Sequence, residues 1–141
     1  MLLKFRPRSE KEIYLRLKKK KFEERIIKEV LLFLKDKDFI DDNHFAKIWI
    51  ESRIKRPLGL RRLKEELRIK GIPQEIIDSK IEEIKKSYSE EDVVSKMAKE
   101  RLHKLKGVES QKAKRRVFAY ILRRGFSPEI VIDVLNQFHT A

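Results

Sequence analysis

A chain of 141 residues with 42% charged side chains, a formal net charge of +13 and a sequence pI near 10.0 suits solvated helices around thin cores, and its balance calls for an anionic partner: nucleic acid, an acidic protein surface or, less readily, a membrane surface. Its 40% hydrophobic content is enough for one ordinary domain or a short array of modules. There is no cysteine, which excludes disulfides and thiolate zinc sites, and no apolar run approaches the roughly 20 residues that span a bilayer or forms the core of a signal peptide, so cytoplasmic residence is expected.

Ser9-Glu10-Lys11-Glu12 has the spacing of a capping box, in which hydroxyl and carboxylate satisfy free backbone donors, and it predicts a helix from about residue 10 to Lys21. A second is expected from about Glu23 to Lys35, burying Ile26, Ile27, Val30, Leu31 and Leu34 at helical spacing. Asp41 or Asp42 caps a third with Phe45, Ile48 and Trp49 as its stripe. A fourth runs from Leu60 to Lys70 and ends at Gly71, where a left-handed residue costs little. Pro73 suits the first turn of a fifth, to about Lys86, because its missing donor would be unpaired there anyway. Ser87-Tyr88-Ser89 reads as a linker, and Ser89 with Asp92 opens a sixth helix that continues to Gly107. The last two span Ser110 to Arg124 and Pro128 to Phe138, with Gly125 as a stop and Ser127-Pro128 as a start. Eight helices and no strand define an all-α fold.

These helices repeat. Phe22, Ile72 and Phe126 stand at spacings of 50 and 54 residues, and the apolar positions around them coincide: Ile13, Leu63 and Val117 nine before; Leu17, Leu67 and Ile121 five before; Ile27, Ile77 and Val131 five after; Leu31, Ile81 and Leu135 nine after. Repeats of this length are modules that bury their faces against one another. The expectation is an elongated array of tandem three-helix repeats over residues 1–38, 39–87 and 88–141, the first truncated to two helices because residues 1–8 are too few for a third. Such an array encloses no catalytic pocket, so function is sought on surfaces.

Charge divides unevenly within each repeat. The segments before the anchors are basic, with net charges of +5 over 11–21, +3 over 60–70 and +6 over 110–124. Those after them are not, at 0 over 23–37, −1 over 74–86 and −2 over 128–138. If the modules stack in register, Lys18, Lys19, Arg61, Arg62, Arg68, Arg115, Arg116, Arg123 and Arg124 form a stripe along one side. For one cluster, Lys and Arg merely solvating a helix is the better account; recurrence in three equivalent places favours a binding role.

The short turns Lys70-Gly71-Ile72-Pro73 and Arg124-Gly125-Phe126-Ser127 suggest a helix-turn-helix DNA reader, whose second helix enters the major groove. Here the second helices carry Glu75, Asp78, Glu82, Glu129 and Asp133, which repel phosphate, so sequence-specific readout by them is not expected. Backbone tracking by the basic helices stays open and would be strongly salt-dependent. His44, His103 and His139 lack metal-ligand spacing, and the four scattered glycines build no phosphate loop. Trp49 and the phenylalanines at helical spacing read as core. No triad, nucleophile elbow or cofactor motif occurs, so neither enzyme chemistry nor a cofactor is expected.

Ile40-Asp41-Asp42-Asn43-His44-Phe45-Ala46, then Trp49 and Arg53, then Gly59-Leu60-Arg61-Arg62-Leu63, Glu66-Leu67 and Lys70-Gly71-Ile72 resemble the signature of the RecX family, regulators of the RecA recombinase. Arg6-Pro7-Arg8-Ser9 with Glu12 and Leu15 is similar to its N-terminal motif, and the likeness extends from about residue 6 to Phe138. The resemblance implies tandem three-helix repeats and a monomeric, non-enzymatic protein that lies on RecA–DNA filaments. It also implies restraint of strand exchange, ATP hydrolysis and co-protease activity, and so a place in homologous recombination, DNA repair and the SOS response. It suggests Asp41 and Asp42 as caps, Phe45, Trp49, Leu63 and Leu67 as core, and Arg53, Arg61 and Arg62 as contacts. Single- or double-stranded DNA is expected as a partner, within the filament or independently. Two departures stand out: family members commonly have more chain before Arg6, and Lys21 occupies the place of glycine with no proline after it, so the first turn is expected to differ. A general salt-dependent DNA- or RNA-binding helical module is the rival reading, and a structural adaptor kept soluble by its charge is a third.

Overall fold

The computed structural model describes residues 7–138; Arg6 and His139 lie outside the described residues. Eight α-helices and no strand occur among them: α1 (Glu10–Lys19), α2 (Glu24–Asp36), α3 (Asp42–Arg53), α4 (Leu60–Ile69), α5 (Gln74–Lys85), α6 (Glu90–Lys104), α7 (Ser110–Arg123) and α8 (Pro128–Asn136). The all-α expectation holds, helix by helix.

Local chemistry sets the starts. Ser9 accepts from the Glu12 amide at 3.1 Å while the Glu12 carboxylate accepts from the Ser9 amide at 3.1 Å, the reciprocal capping box read from the sequence. Asp41 caps α3 by accepting from the His44 amide at 3.2 Å, Ser89 caps α6 through Asp92, and Ser127 caps α8 through Ile130 with Pro128 in the first turn. Pro73 sits one residue earlier than expected, immediately before α5, where its carbonyl accepts from the Ile77 amide at 3.1 Å.

The turn after each basic helix is left-handed. Gly71 has φ +80° and Gly125 φ +91°, and Lys21 takes the same conformation at φ +68° despite its Cβ. The Phe22 amide donates to the Leu17 carbonyl at 3.2 Å, as the Ile72 amide does to Leu67 at 3.0 Å. The first turn therefore does not differ in path, contrary to expectation: closing the helix end with this hydrogen bond outweighs the roughly 1–2 kcal/mol that a non-glycine residue loses in the left-handed region.

The chain divides into two compact units. One takes the described chain as far as Ser52 together with Glu65–Glu82; the other takes Arg53–Lys64 together with the chain from Glu83 onward. The division falls inside α4. In the first unit Ile13, Ile27, Leu31 and Ile40 form a core cluster, with Tyr14, Leu17 and Leu34 against it. In the second, α6 supplies Val94, Met97 and Ala98 to a cluster that holds Val117, Ile121, Phe126, Val131, Val134 and Leu135. The three anchors differ accordingly: Phe126 is 0% exposed and Ile72 4%, whereas Phe22 is 48% exposed. Among the described residues no helix precedes α1 in the place that α6 takes in the third repeat. Phe33, on α2 but outside the stripe by which it meets its cluster, and Phe39, in the turn after it, are more than half exposed.

Candidate binding residues and the helix joints

The basic helices end at two joints built to one plan. In the first unit, the end of α4 meets the start of α1. Ser9 Oγ donates to the Lys70 carbonyl at 2.8 Å and Lys11 Nζ to the Ile69 carbonyl at 3.3 Å. In the second, the end of α7 meets the start of α4: the Gly59 amide donates to the Arg124 carbonyl at 2.8 Å and Arg62 Nη1 to the Arg123 carbonyl at 3.5 Å. The last carbonyls of a helix have no partner within it and carry negative partial charge, so a hydroxyl, amide or cation there satisfies both needs. The glycines are closely approached at these places, Gly59 by backbone and Gly71 by the Lys11 side chain. A Cβ on Gly59 would lie 2.0 Å from the Gly125 carbonyl carbon, and one on Gly71 would lie 2.5 Å from Lys11 Cβ.

A carboxylate closes each joint from the other side. Asp42, first residue of α3, accepts from the Glu10 amide at 3.1 Å; Glu90, first residue of α6, accepts from the Leu60 amide at 3.0 Å. Both amides open a basic helix, where an anion is favoured. Burial pushes the Asp42 carboxyl above the usual aspartate range, the Glu10 amide offsetting only part of that effect. At the first joint Lys70 Nζ reaches Glu12 at 3.2 Å and stands 5.1 Å from the Trp49 ring centre, while Trp49 Nε1 donates to Glu66 at 2.9 Å and its ring stacks on Phe45. At the second, Arg124 donates through Nε and Nη2 to the Pro57 carbonyl at 3.0 and 2.6 Å. Tyr88 Oη donates to the Leu58 carbonyl at 2.8 Å and accepts from its amide at 3.3 Å. Burial raises the Tyr88 hydroxyl pKa, and the segment read as a linker is tied down there.

The joints thus turn four acids inward, while most of the candidate cations face outward. Glu12, Asp42, Glu66 and Glu90 are half-buried and hydrogen-bonded, while Lys18, Lys19, Arg61, Arg62, Arg68, Arg115, Arg116 and Arg123 are exposed. Lys18, Lys19 and Arg68 belong to the first unit, the remaining exposed cations to the second. Arg53 and Arg124 are half-buried. Lys18 pairs with Glu24 at 3.2 Å, and Arg68 pairs with Glu65; at such exposure these pairs add little stability. The Glu24 carboxyl is held below its usual range by the Tyr14 hydroxyl and then by Lys18. On the other helices of the turns, Glu75, Asp78, Glu82, Glu129 and Asp133 are all exposed, leaving α5 and α8 poorly suited to phosphate. Among the described residues no helix is long and apolar enough to cross a membrane.

Sequence reasoning missed the inward role of Glu66, Lys70 and Glu90, since it arises only from tertiary contact. A signal was available: the N-caps Ser9, Gly59 and Glu109 are spaced by 50 and 50 residues, as regular as the apolar anchors.

Three-helix modules that close each basic helix with the same left-handed turn define a tandem helical-repeat protein. Family models match in chain order: the first three-helix domain of RecX over residues 1–34, the second over 41–80 and the third over 89–135. The chain belongs to the RecX family. It is 35% identical over 135 residues to the regulatory protein RecX of Clostridium acetobutylicum, covering 92% of this chain and 62% of that one, and 31% identical over 138 residues to that of Finegoldia magna, covering 96% and 67%. It spans about three-fifths of the length of its clostridial relatives. The crystal structure of RecX from Lactobacillus salivarius superimposes with a TM-score of 0.83 at 20% identity, over 96% of this chain and 88% of that one, a likeness of fold.

Proposed function

We propose that this protein binds RecA–DNA filaments through the exposed cations of its basic helices and restrains the recombinase, its ATP hydrolysis and its co-protease activity. The role needs no catalytic step or cofactor, and we assign it to a cytoplasmic monomer. The observation that carries the reading is the separation of charge at the joints: Glu12, Asp42, Glu66 and Glu90 serve the fold, and Lys19, Arg61, Arg115 and Arg116 are left to solvent. Such a surface attracts an extended anionic assembly and speeds encounter with it.

The same cations also suit general binding of DNA or RNA, and salt separates the two readings. Co-sedimentation with the cognate RecA, with and without DNA, is the test. The filament reading expects the protein to pellet with RecA–DNA at salt concentrations that release it from bare DNA, because protein contacts outlast counterion release. Equal release from filament and bare DNA would favour the general nucleic-acid module.

A further inference from the structure

The second unit holds a cleft of about 1060 Å³ between the last two turns of α6, the loop after it and the start of α7. None of its lining residues belongs to the candidate cations above. Its floor is apolar: Leu102, Leu105, Val108, Ala113 and Phe138 line it. Leu102, Leu105 and Phe138 also pack against the core cluster of the unit, so the floor is held from beneath. The Phe138 carbonyl is pinned by Lys114 Nζ at 2.8 Å.

Around this floor stand Lys96, Lys99, His103, Lys104 and Lys106, all exposed, against a single lining carboxylate, Glu100. Gly107, at φ +95°, has nothing within 4 Å of where a Cβ would lie, which leaves the loop side open. Ser110 lines the same cleft, and its Oγ is buried without a hydrogen-bond partner. A buried hydroxyl left unpaired is unusual.

We infer that this cleft seats an acidic peptide segment of a partner protein, with an apolar side chain on the Leu102–Leu105–Val108 floor and flanking carboxylates on the surrounding lysines. Charge complementarity selects an acidic occupant, and the aliphatic floor selects its apolar centre. Single-stranded nucleic acid fits less well: its bases stack on aromatic platforms, and the floor offers Phe138 alone. The volume is several times that of one residue and is on the scale of a short peptide segment. The inference does not depend on the filament reading.

The test titrates the full chain against a fluorescein-labelled peptide carrying a Leu-Phe pair between runs of glutamate, followed by anisotropy at moderate salt. Lys99→Glu with Lys106→Glu is expected to weaken binding about tenfold or more, and replacing the peptide's Leu-Phe by Ser-Ser to weaken it similarly. Lys55→Glu with Lys86→Glu, exposed residues of the same unit that do not line the cleft, should leave the affinity unchanged. Equal binding of the Ser-Ser peptide, or equal loss from the Lys55/Lys86 pair, would overturn the inference in favour of undirected cationic attraction. Oligothymidylate that binds more tightly than the peptide, and loses that binding on reversal of Lys99 and Lys106, would overturn it in favour of a nucleic-acid site. Circular dichroism confirms that each variant, altered only at exposed positions, keeps its helices.

Discussion

The Gly59 amide donates to the Arg124 carbonyl at 2.8 Å, so the backbone that begins one basic helix touches the backbone that ends the next. Only glycine permits it. A Cβ at position 59 would lie 2.0 Å from the Gly125 carbonyl carbon and oxygen and 2.3 Å from the Phe126 nitrogen, all backbone atoms that cannot swing aside. Gly59→Ala is expected to destabilise the second unit by about 3 kcal/mol or more, through overpacking and loss of a buried hydrogen bond. Urea unfolding should show a lower midpoint; an unchanged midpoint would mean the joint is not formed.

Lys21 holds φ +68° where the equivalent turns have Gly71 and Gly125. Its side chain is exposed. Lys21→Gly therefore removes left-handed strain without loss of packing, and should stabilise the protein by about 1 kcal/mol after allowance for glycine's freedom in the unfolded chain. A rise in Tm of a few degrees is the expected readout.

Asp42 titrates above its ordinary range because burial disfavours its charge. A raised carboxyl pKa means that the folded state holds the proton more tightly than the unfolded state. Its stabilising contribution is present below the unfolded value and lost as pH rises through the folded one. Asp42→Asn keeps an oxygen for the Glu10 amide and removes the charge. The Tm difference, variant minus wild type, should therefore grow as pH rises from about 3 toward 7; a difference flat with pH would place the carboxylate in a well-solvated setting.

Tyr88 pairs with both backbone groups of Leu58. Phenylalanine fills the same space and pairs with neither, so Tyr88→Phe is expected to cost about 1–3 kcal/mol. Hydrogen exchange at the Leu58 amide should quicken by more than exchange in α2, which belongs to the other unit.

Every helix was legible in the chain because caps and periodicity are local: Ser9 with Glu12, Ser127 with Pro128, and the apolar ladder around Phe22, Ile72 and Phe126 act within a few turns. What escaped depends on distant partners. Phe22 looks equivalent to Phe126 by spacing, yet Phe126 shares its cluster with residues of α6, and no such helix precedes α1 among the described residues. The left-handed Lys21 was hidden because its propensity opposes the turn that a long-range pattern imposes. Charge counting singled out the basic helices but passed over α6, whose first-turn Glu90, Glu91 and Asp92 offset its later lysines in the total. The candidate cations were readable as a class; their separation from the inward acids needed the joints, which pair residues up to 67 positions apart.

The central claim, that the exposed cations of the basic helices hold this protein on a RecA–DNA filament and restrain it, is tested most directly by DNA-dependent ATP hydrolysis of the cognate RecA. Wild-type protein should lower the rate at amounts well below those that coat free DNA, and Lys19→Glu, Arg61→Glu, Arg115→Glu and Arg116→Glu combined should abolish that effect while leaving the helical content intact. An undiminished rate at saturating wild-type protein, or equal inhibition by the charge-reversed variant, would contradict the account.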